Sequence, residues 1–398
     1  MIEGFVFPNE AEVNWSLLIV LYPYITGLVA GAFIVSALYH VFGISKLKPV
    51  ARLSLLSALA FLIVAPLPLV LHLGRPERGI EILLRPNLSS SAMAGFGYIY
   101  LFYMIIVVAE IWLEFRRDII TYAKSSSGIK KLIYTLLSLG VLDLNEEAFK
   151  SDKRISKALS TIGIPSAAVL HGYVGFIFGS IKANPWWSTP LMPVIFLMSA
   201  IVSGVALLLA VYILSSKIRR VKIDTGTVAT MQKWLFGFLV IDVAFEMLEI
   251  IAMRYESEET WPIINQLITE KIAVTFFGVQ LIMGTFMPLA ILGLMMLLKT
   301  RDSIRVPVGL LVSLMIVVGI FAMRWNVVIG GQLVSKSFKG FVEYIPEIGG
   351  REGVLSAIGV IALPFIILTV LTLILPPWIE KMKDGKDEHS KLERELVH

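Results

Sequence analysis

The chain has 398 residues, 57% of them hydrophobic and 16% charged, with a mean hydropathy of +0.80, a composition outside the soluble range that specifies an all-α polytopic membrane protein. It has no cysteine, so it can hold no disulfide, iron–sulfur cluster or thiolate-bound metal, and redox chemistry must come from a bound cofactor, a substrate or a partner. The net charge of +5 reads as loop charge on a protein whose expected partner is a bilayer rather than nucleic acid, and His40, His72 and His171, the histidines outside the tail, are too scattered for bis-histidine haems.

Nine runs are long enough to cross a hydrocarbon core of ~30 Å: 16–42, 52–72, 91–115, 159–182, 189–215, 228–252, 272–298, 305–323 and 354–376. The segments between spans one and two, three and four, five and six, and seven and eight, with the C-terminal tail, carry most of the 35 lysines and arginines. That bias places the N-terminus outside and the C-terminus inside. No basic n-region precedes the first run, so no cleavable signal peptide is expected.

Span one pairs Gly27 with Gly31, carries Trp15 at its outer mouth, and places Tyr22 and Tyr24 deeper. Pro66 and Pro68 remove backbone donors from span two and bend it. An outer loop follows with His72, Arg75 and Arg78, and Ser89, Ser90 and Ser91 are candidate N-caps for span three. The inner segment 116–158 mixes basic residues with amphipathic pieces such as 129–144. In span four, Gly172, Gly175 and Gly179 form a stripe that lets another backbone approach. Pro185, Trp186 and Trp187 then mark a turn at the membrane boundary, where indoles prefer to sit.

Two features carry candidate chemistry. Asp242, Glu246 and Glu249 fall at i, i+4 and i+7 on span six, one face roughly 10 Å long. Three carboxylates there cannot all ionise in a low dielectric without partners, and such a ladder suits proton conduction between a buried site and the outside. The alternative is that some of them pair with buried bases such as Arg324. His171, with Tyr173 nearby, lies at a similar depth and offers hydrogen bonds and proton exchange of the kind quinone chemistry needs. The alternative for His171 is hydrogen-bonded packing, and the same residue types also suit a proton-coupled carrier of a small solute.

His72-Leu73-Gly74-Arg75-Pro76, His171-Gly172-Tyr173, Asn184-Pro185-Trp186-Trp187 with Pro190 and Pro193, Ser199 with Ser203-Gly204, and Arg324 through Gln332 together resemble the NrfD/PsrC family of quinone-interacting integral membrane subunits, over nearly the whole chain. The resemblance implies a haem-free subunit that binds a menaquinone-type quinol near the outer face. It implies electron exchange with an extracytoplasmic ferredoxin-like iron–sulfur subunit that serves a molybdopterin or tungstopterin catalytic subunit, such as a polysulfide or sulfur reductase. The implied quinone-binding residues are His171, Tyr173, His72, Arg75, Trp15 and Tyr24, the proton path is Asp242, Glu246 and Glu249, and Arg78, Arg324 and Gln332 face the docked partner. Family members place a histidine at the mouth of span one, where this sequence has Asn14 and Trp15. The expected organisation is a four-helix bundle with the quinone site (1–182), a second four-helix bundle (183–323), an outer loop (324–352), and an extra span with a polar cytoplasmic tail (353–398). A structural anchor without quinone chemistry is a further alternative.

Overall fold

A computed structural model of the chain describes residues 3–143, 145–255, 259–298 and 300–378. The expected cytoplasmic tail from residue 379 onward lies outside the described residues. The helices are α1 (Leu17–His40), α2 (Lys48–Val64), α3 (Leu67–His72), α4 (Ala92–Ser125), α5 (Gly128–Leu137), α6 (Glu146–Gly179), α7 (Met192–Ile218), α8 (Thr225–Tyr255), α9 (Val274–Leu297), α10 (Asp302–Trp325) and α11 (Val354–Ile374). Among the described residues, eight helical segments are long and apolar enough to cross a membrane, α2 and α3 together making one. Outside that set are the 10-residue α5 and α8, 31 residues long, which carries the three carboxylates.

Two short strands identify one end of the molecule. β1 (Glu3–Phe5) pairs antiparallel with β2 (Lys339–Phe341), Gly4 opposite Gly340. Asn184 Nδ2 donates to the Gly331 carbonyl at 2.8 Å at this same end. At the opposite end Thr227 Oγ1 donates to the Lys46 carbonyl, Gln232 Nε2 to the Arg305 carbonyl, and Tyr134 OH to the Ile374 carbonyl. The segments that the basic-residue bias puts together therefore do lie together, and α8 runs from the Lys46 end toward the Asn184 end.

Helix α1 is apolar on every side, as a helix buried all round has to be, and 94% of its central window is buried. Its N-cap Ser16 accepts from Leu18 N–H. It crosses α7 where Gly31 meets Gly204, and a Cβ on Gly31 would run into the backbone of Ile201, Gly204 and Val205. The span-two bend occurs as expected. Pro66 cannot donate to the Leu62 carbonyl, and Tyr100 OH of α4 donates to that carbonyl instead. Ser91 does occupy the N-cap position of α4 but makes no side-chain capping bond.

The structure differs from the sequence reading at three helix ends, of which one is the start of α6 at Glu146 rather than 159. The run expected to stop at 115 continues to Ser125 because its charges are paired: Arg52 bonds Glu114 at 3.0 Å and Asp118 at 2.6 Å, and Arg116 bonds Asp152 at 2.8 Å. The segment expected to be an outer loop from 324 begins instead as buried helix. α10 runs on into a π-helical turn, Asn326–Gly330, and then Gly331–Leu333. Asn326 through Gly331 are buried, and Gly331 leaves room for the Trp187 indole, which a Cβ would strike.

The α1–α7 contact yields a direct prediction. Gly31→Val should push the two backbones apart and destabilise the solubilised protein by about 1–3 kcal/mol, seen as a lower melting temperature in detergent. An unchanged melting temperature would mean that the helices do not touch there.

Candidate functional site

The ladder on α8 faces inward. Asp242, Glu246 and Glu249 are all buried, while Lys233 on the same helix is exposed. Opposite them stands Arg324 near the end of α10, only 1% exposed. Its Nη2 donates to Ser199 Oγ at 2.7 Å and to the Phe196 carbonyl at 3.2 Å, and the guanidinium lies 3.9 Å from the centre of the Phe196 ring. The charges of Asp242 and Glu246 act on it, and so does the Tyr24 hydroxyl from α1. Asp242 Oδ1 and Arg324 Nε have no hydrogen-bond partner. A buried guanidinium cannot meet a docked subunit, so the expected docking role of Arg324 gives way to an interior one.

The seam continues through two amide side chains on irregular helix. Gln280 lies in the π-helical part of α9 (Val274–Phe286) and Asn326 in the π turn after α10. π segments recur at functional sites because the wider turn re-aims side chains and strands carbonyls. Asn326 Nδ2 donates to Gln280 Oε1 at 2.8 Å, and Gln280 Nε2 donates to Glu246 Oε2 at 3.3 Å. The stranded carbonyls are taken up by indoles. Trp186 Nε1 donates to the Asn326 carbonyl at 2.9 Å and Trp187 Nε1 to the Val327 carbonyl at 2.6 Å. Both indoles are buried against the protein rather than exposed on the turn.

Two clefts flank this seam. The first has apolar walls from residues such as Met192, Ile195, Met247 and Met323 and polar atoms from Glu246, Glu249, Gln280 and Asn326. The second lies beside the 185–191 turn. Glu249 and Met253 line both, so Glu249 stands between the buried seam and the Asn184 end. A cleft with apolar walls and a few convergent polar groups is the usual form of a small-molecule site.

Most of the residues expected to bind quinone hold partners within the protein. His171 is buried, with Nδ1 2.6 Å from the Ala167 carbonyl and Nε2 against the Thr26 carbonyl of α1, so both ring nitrogens are engaged by backbone. Tyr173 OH donates to the Ala92 carbonyl and Tyr24 OH to the Val317 carbonyl. Trp15 stacks on Trp187 with centroids 5.1 Å apart, and its backbone N–H donates to Gln332 Oε1 at 2.8 Å. Gln332 thus ties α1 to the end of the π turn. Arg75 is exposed, and Arg78 is exposed and paired with Glu81.

His72 Nδ1 lies 2.7 Å from Glu352 Oε2, joining the end of α3 to the start of α11. Burial opposes the Glu352 charge, but hydrogen bonds from Ser16 and His72 and the His72 charge outweigh it and hold the carboxyl below its ordinary range. The sequence reading missed Gln280 and read Ser199 and Asn326 only as parts of motifs. The signal for Gln280 was its place as the single amide in the apolar run VTFFGVQLIMGTF.

Comparison with known proteins agrees with the membrane architecture. The family profile described as "Polysulphide reductase, NrfD" matches residues 6–336. A selenate reductase subunit of Mesobacillus selenatarsenatis is 30% identical over 95% of this chain and 89% of its own length. A tetrathionate reductase subunit of Archaeoglobus fulgidus is 25% identical over 95% of this chain and 98% of its own. An Hdr-like menaquinol oxidoreductase integral membrane subunit, also of Archaeoglobus fulgidus, is 23% identical over 58% of this chain and 49% of its own.

The His72–Glu352 tie carries a pH dependence whose sign is set by the lowered carboxyl. The stabilisation is present above the ordinary glutamate value of 4.5 and is lost as the pH falls through the lower folded-state value. Glu352→Gln should therefore cost about 0.2–1 kcal/mol at neutral pH, and the difference from wild type should vanish on acidification below 4.5. Thermal melts of both proteins across that range check it; a difference that persists in acid would mean that the carboxylate charge is not what holds the tie.

Proposed function

Because the chain belongs to the NrfD polysulphide reductase family, we propose that it is the quinone-linked membrane subunit of a respiratory reductase complex. It passes electrons between a menaquinone-type pool and an extracytoplasmic iron–sulfur subunit of a molybdopterin or tungstopterin enzyme. The observation that carries the reading is the seam Arg324, Asp242, Glu246, Gln280 and Asn326 beside an apolar cleft that reaches the surface through Glu249. The words "menaquinol oxidoreductase" in the name of one relative support the cofactor class. The words "selenate reductase" and "tetrathionate reductase" support an oxidised inorganic terminal acceptor.

A bound quinol supplies two electrons and two protons. The apolar walls of the first cleft suit the ring and exclude water, and Gln280 and Asn326 hold the Glu246 carboxyl toward it. Glu246 accepts a proton and exchanges it with Asp242 beside the Arg324 charge, and Glu249 hands protons to the second cleft and the outer compartment. This moves the expected quinone contacts from His171, Tyr173, His72, Arg75, Trp15 and Tyr24 to the α7–α10 cleft, where the polar groups converge. In the proposed topology all nine helical segments, α8 included, cross the cytoplasmic membrane with the N-terminus outside. Arg75 and Arg78 then face the iron–sulfur partner on the outer surface. A proton-coupled carrier would use the same seam but would purify without cluster-bearing partners.

A photoreactive quinone analogue distinguishes the two locations. It should label α8 or α9, near Met247 or Phe276; labelling confined to 72–75 or 171–173 would put the ring in the N-terminal helices. Asp242→Asn preserves shape and removes the exchangeable proton. In the intact complex it should bind quinone normally and turn over at least tenfold more slowly, about 1.4 kcal/mol in barrier. Normal turnover per assembled complex would remove the proton path.

A further inference from the structure

Eleven buried side-chain polar atoms among the described residues make no hydrogen bond, and six of them occupy one region: Ser36 Oγ, His40 Nε2, Tyr103 OH, Glu110 Oε2, Arg116 Nε and Ser156 Oγ. The region lies between the middle of α4 and its Arg52 end, far from the Asp242 seam. Three stripes at helical spacing build it: Ser36 and His40 on α1, Tyr103, Glu110 and Glu114 on α4, and Asp152, Ser156 and Ser160 on α6. A buried polar group without a partner costs about 1–3 kcal/mol. So many gathered together call for partners that the side-chain packing itself does not supply.

Glu110 stands at the centre and is fully buried. Its Oε1 accepts from Ser160 Oγ at 2.5 Å, while Oε2 is unpartnered. The Ser36 hydroxyl lies beside the carboxyl without completing a bond, and Tyr103 is close enough for its charge and that of Glu110 to interact. One turn further along α4, Glu114 Oε2 is 3.9 Å from His40 Nε2, and Glu114 Oε1 is 3.0 Å from Arg52 Nε of α2. Arg52 also holds Asp118, whose side chain is 34% exposed. The Arg116–Asp152 pair closes the α6 side. The charged groups around Glu110 are therefore His40 from α1, Arg52 from α2, Asp152 from α6, and Glu114, Arg116 and Asp118 from its own helix.

We propose that Glu110 is a proton-exchange site, linked by bound water to Ser36, Tyr103 and His40 and opening to the Arg52 end through Glu114 and Asp118. One proton adds to the carboxylate to form the acid and leaves by the same route, and no electrons move. The site stands on its own geometry; its use as a proton donor or acceptor for quinone chemistry rests on the function proposed above.

Infrared difference spectroscopy during a pH titration of the intact complex tests the site without any turnover. Wild type should give a carboxylic-acid carbonyl band that shifts in D2O, that Glu110→Gln removes and that Glu110→Asp restores at a shifted position. A titration spectrum unaltered by Glu110→Gln overturns the proposal. Ser160→Ala removes one bond and leaves the carboxyl, so it should move the band; if the glutamine variant fails to assemble and Ser160→Ala moves nothing, the proposal is likewise overturned. In proteoliposomes Glu110→Gln should slow proton uptake from the Arg52 side at least tenfold with quinone binding unchanged, and unslowed uptake rejects the route. A complex that binds no quinone but keeps the Glu110 band would reject the quinone reading and leave this site standing.

Discussion

A guanidinium that cannot shed its charge is buried between α7, α8 and α10, and the second half of the chain is arranged around it. Moving such an ion out of water costs several kcal/mol unless neighbouring groups repay it. Arg324 is repaid by Ser199 and the Phe196 carbonyl on one side and by the charges of Asp242 and Glu246 on the other. The carboxylates need the arginine for the same reason. Neither set is tolerable alone at that depth, so the ladder and Arg324 form one electrostatic unit contributed by separate helices.

That unit sits where helix regularity fails. A straight α-helix repeats its faces every 3.6 residues, and the segments that carry Gln280 and Asn326 depart from that period. The π segments reset the phase, at the cost of carbonyls without helical partners. Trp186 and Trp187 meet that cost by donating from the 184–187 turn, and Thr275 Oγ1 bonds Asn326 Oδ1 at 2.5 Å. Close packing of α9 against α10 at Gly284 and Gly319, where neither position has room for a Cβ, holds the two irregular segments side by side. The turn reads as a surface feature from its sequence and functions as an internal brace.

The sequence made the membrane class, most helix positions, the bend at Pro66 and the inward face of Asp242, Glu246 and Glu249 legible, because each follows from hydropathy, proline chemistry or period 3.6. What it hid depends on contacts between distant segments. Nothing local in RWNVVIGGQL distinguishes a helix continuing in a π turn from a loop; the difference lies in Trp187, Asn184 and Trp15, which supply its partners. Trp186 and Trp187 have the composition of interface residues and are buried because π-turn carbonyls await them. His171 was legible as a buried polar group. That its ring spans from Ala167 to the Thr26 carbonyl, tying α6 to α1, was not.

The Glu110 region joins α1, α4 and α6, whereas the Asp242 seam joins α7, α8, α9 and α10. Along α6 the distance from Ser160 to His171 is about 16 Å, and the buried face between them carries Gly163 and Ala167. Phe33 of α1 fills the notch that Gly163 leaves, its ring so close that a Cβ there would strike it, and packs edge-on against Tyr103. An aromatic ring wedged into a glycine notch offers no lone pair or exchangeable hydrogen to a proton. That stretch of α6 therefore offers a proton no route through its resting packing. A route along this side of α6 would require Phe33 to leave Gly163 or Tyr103 to change rotamer.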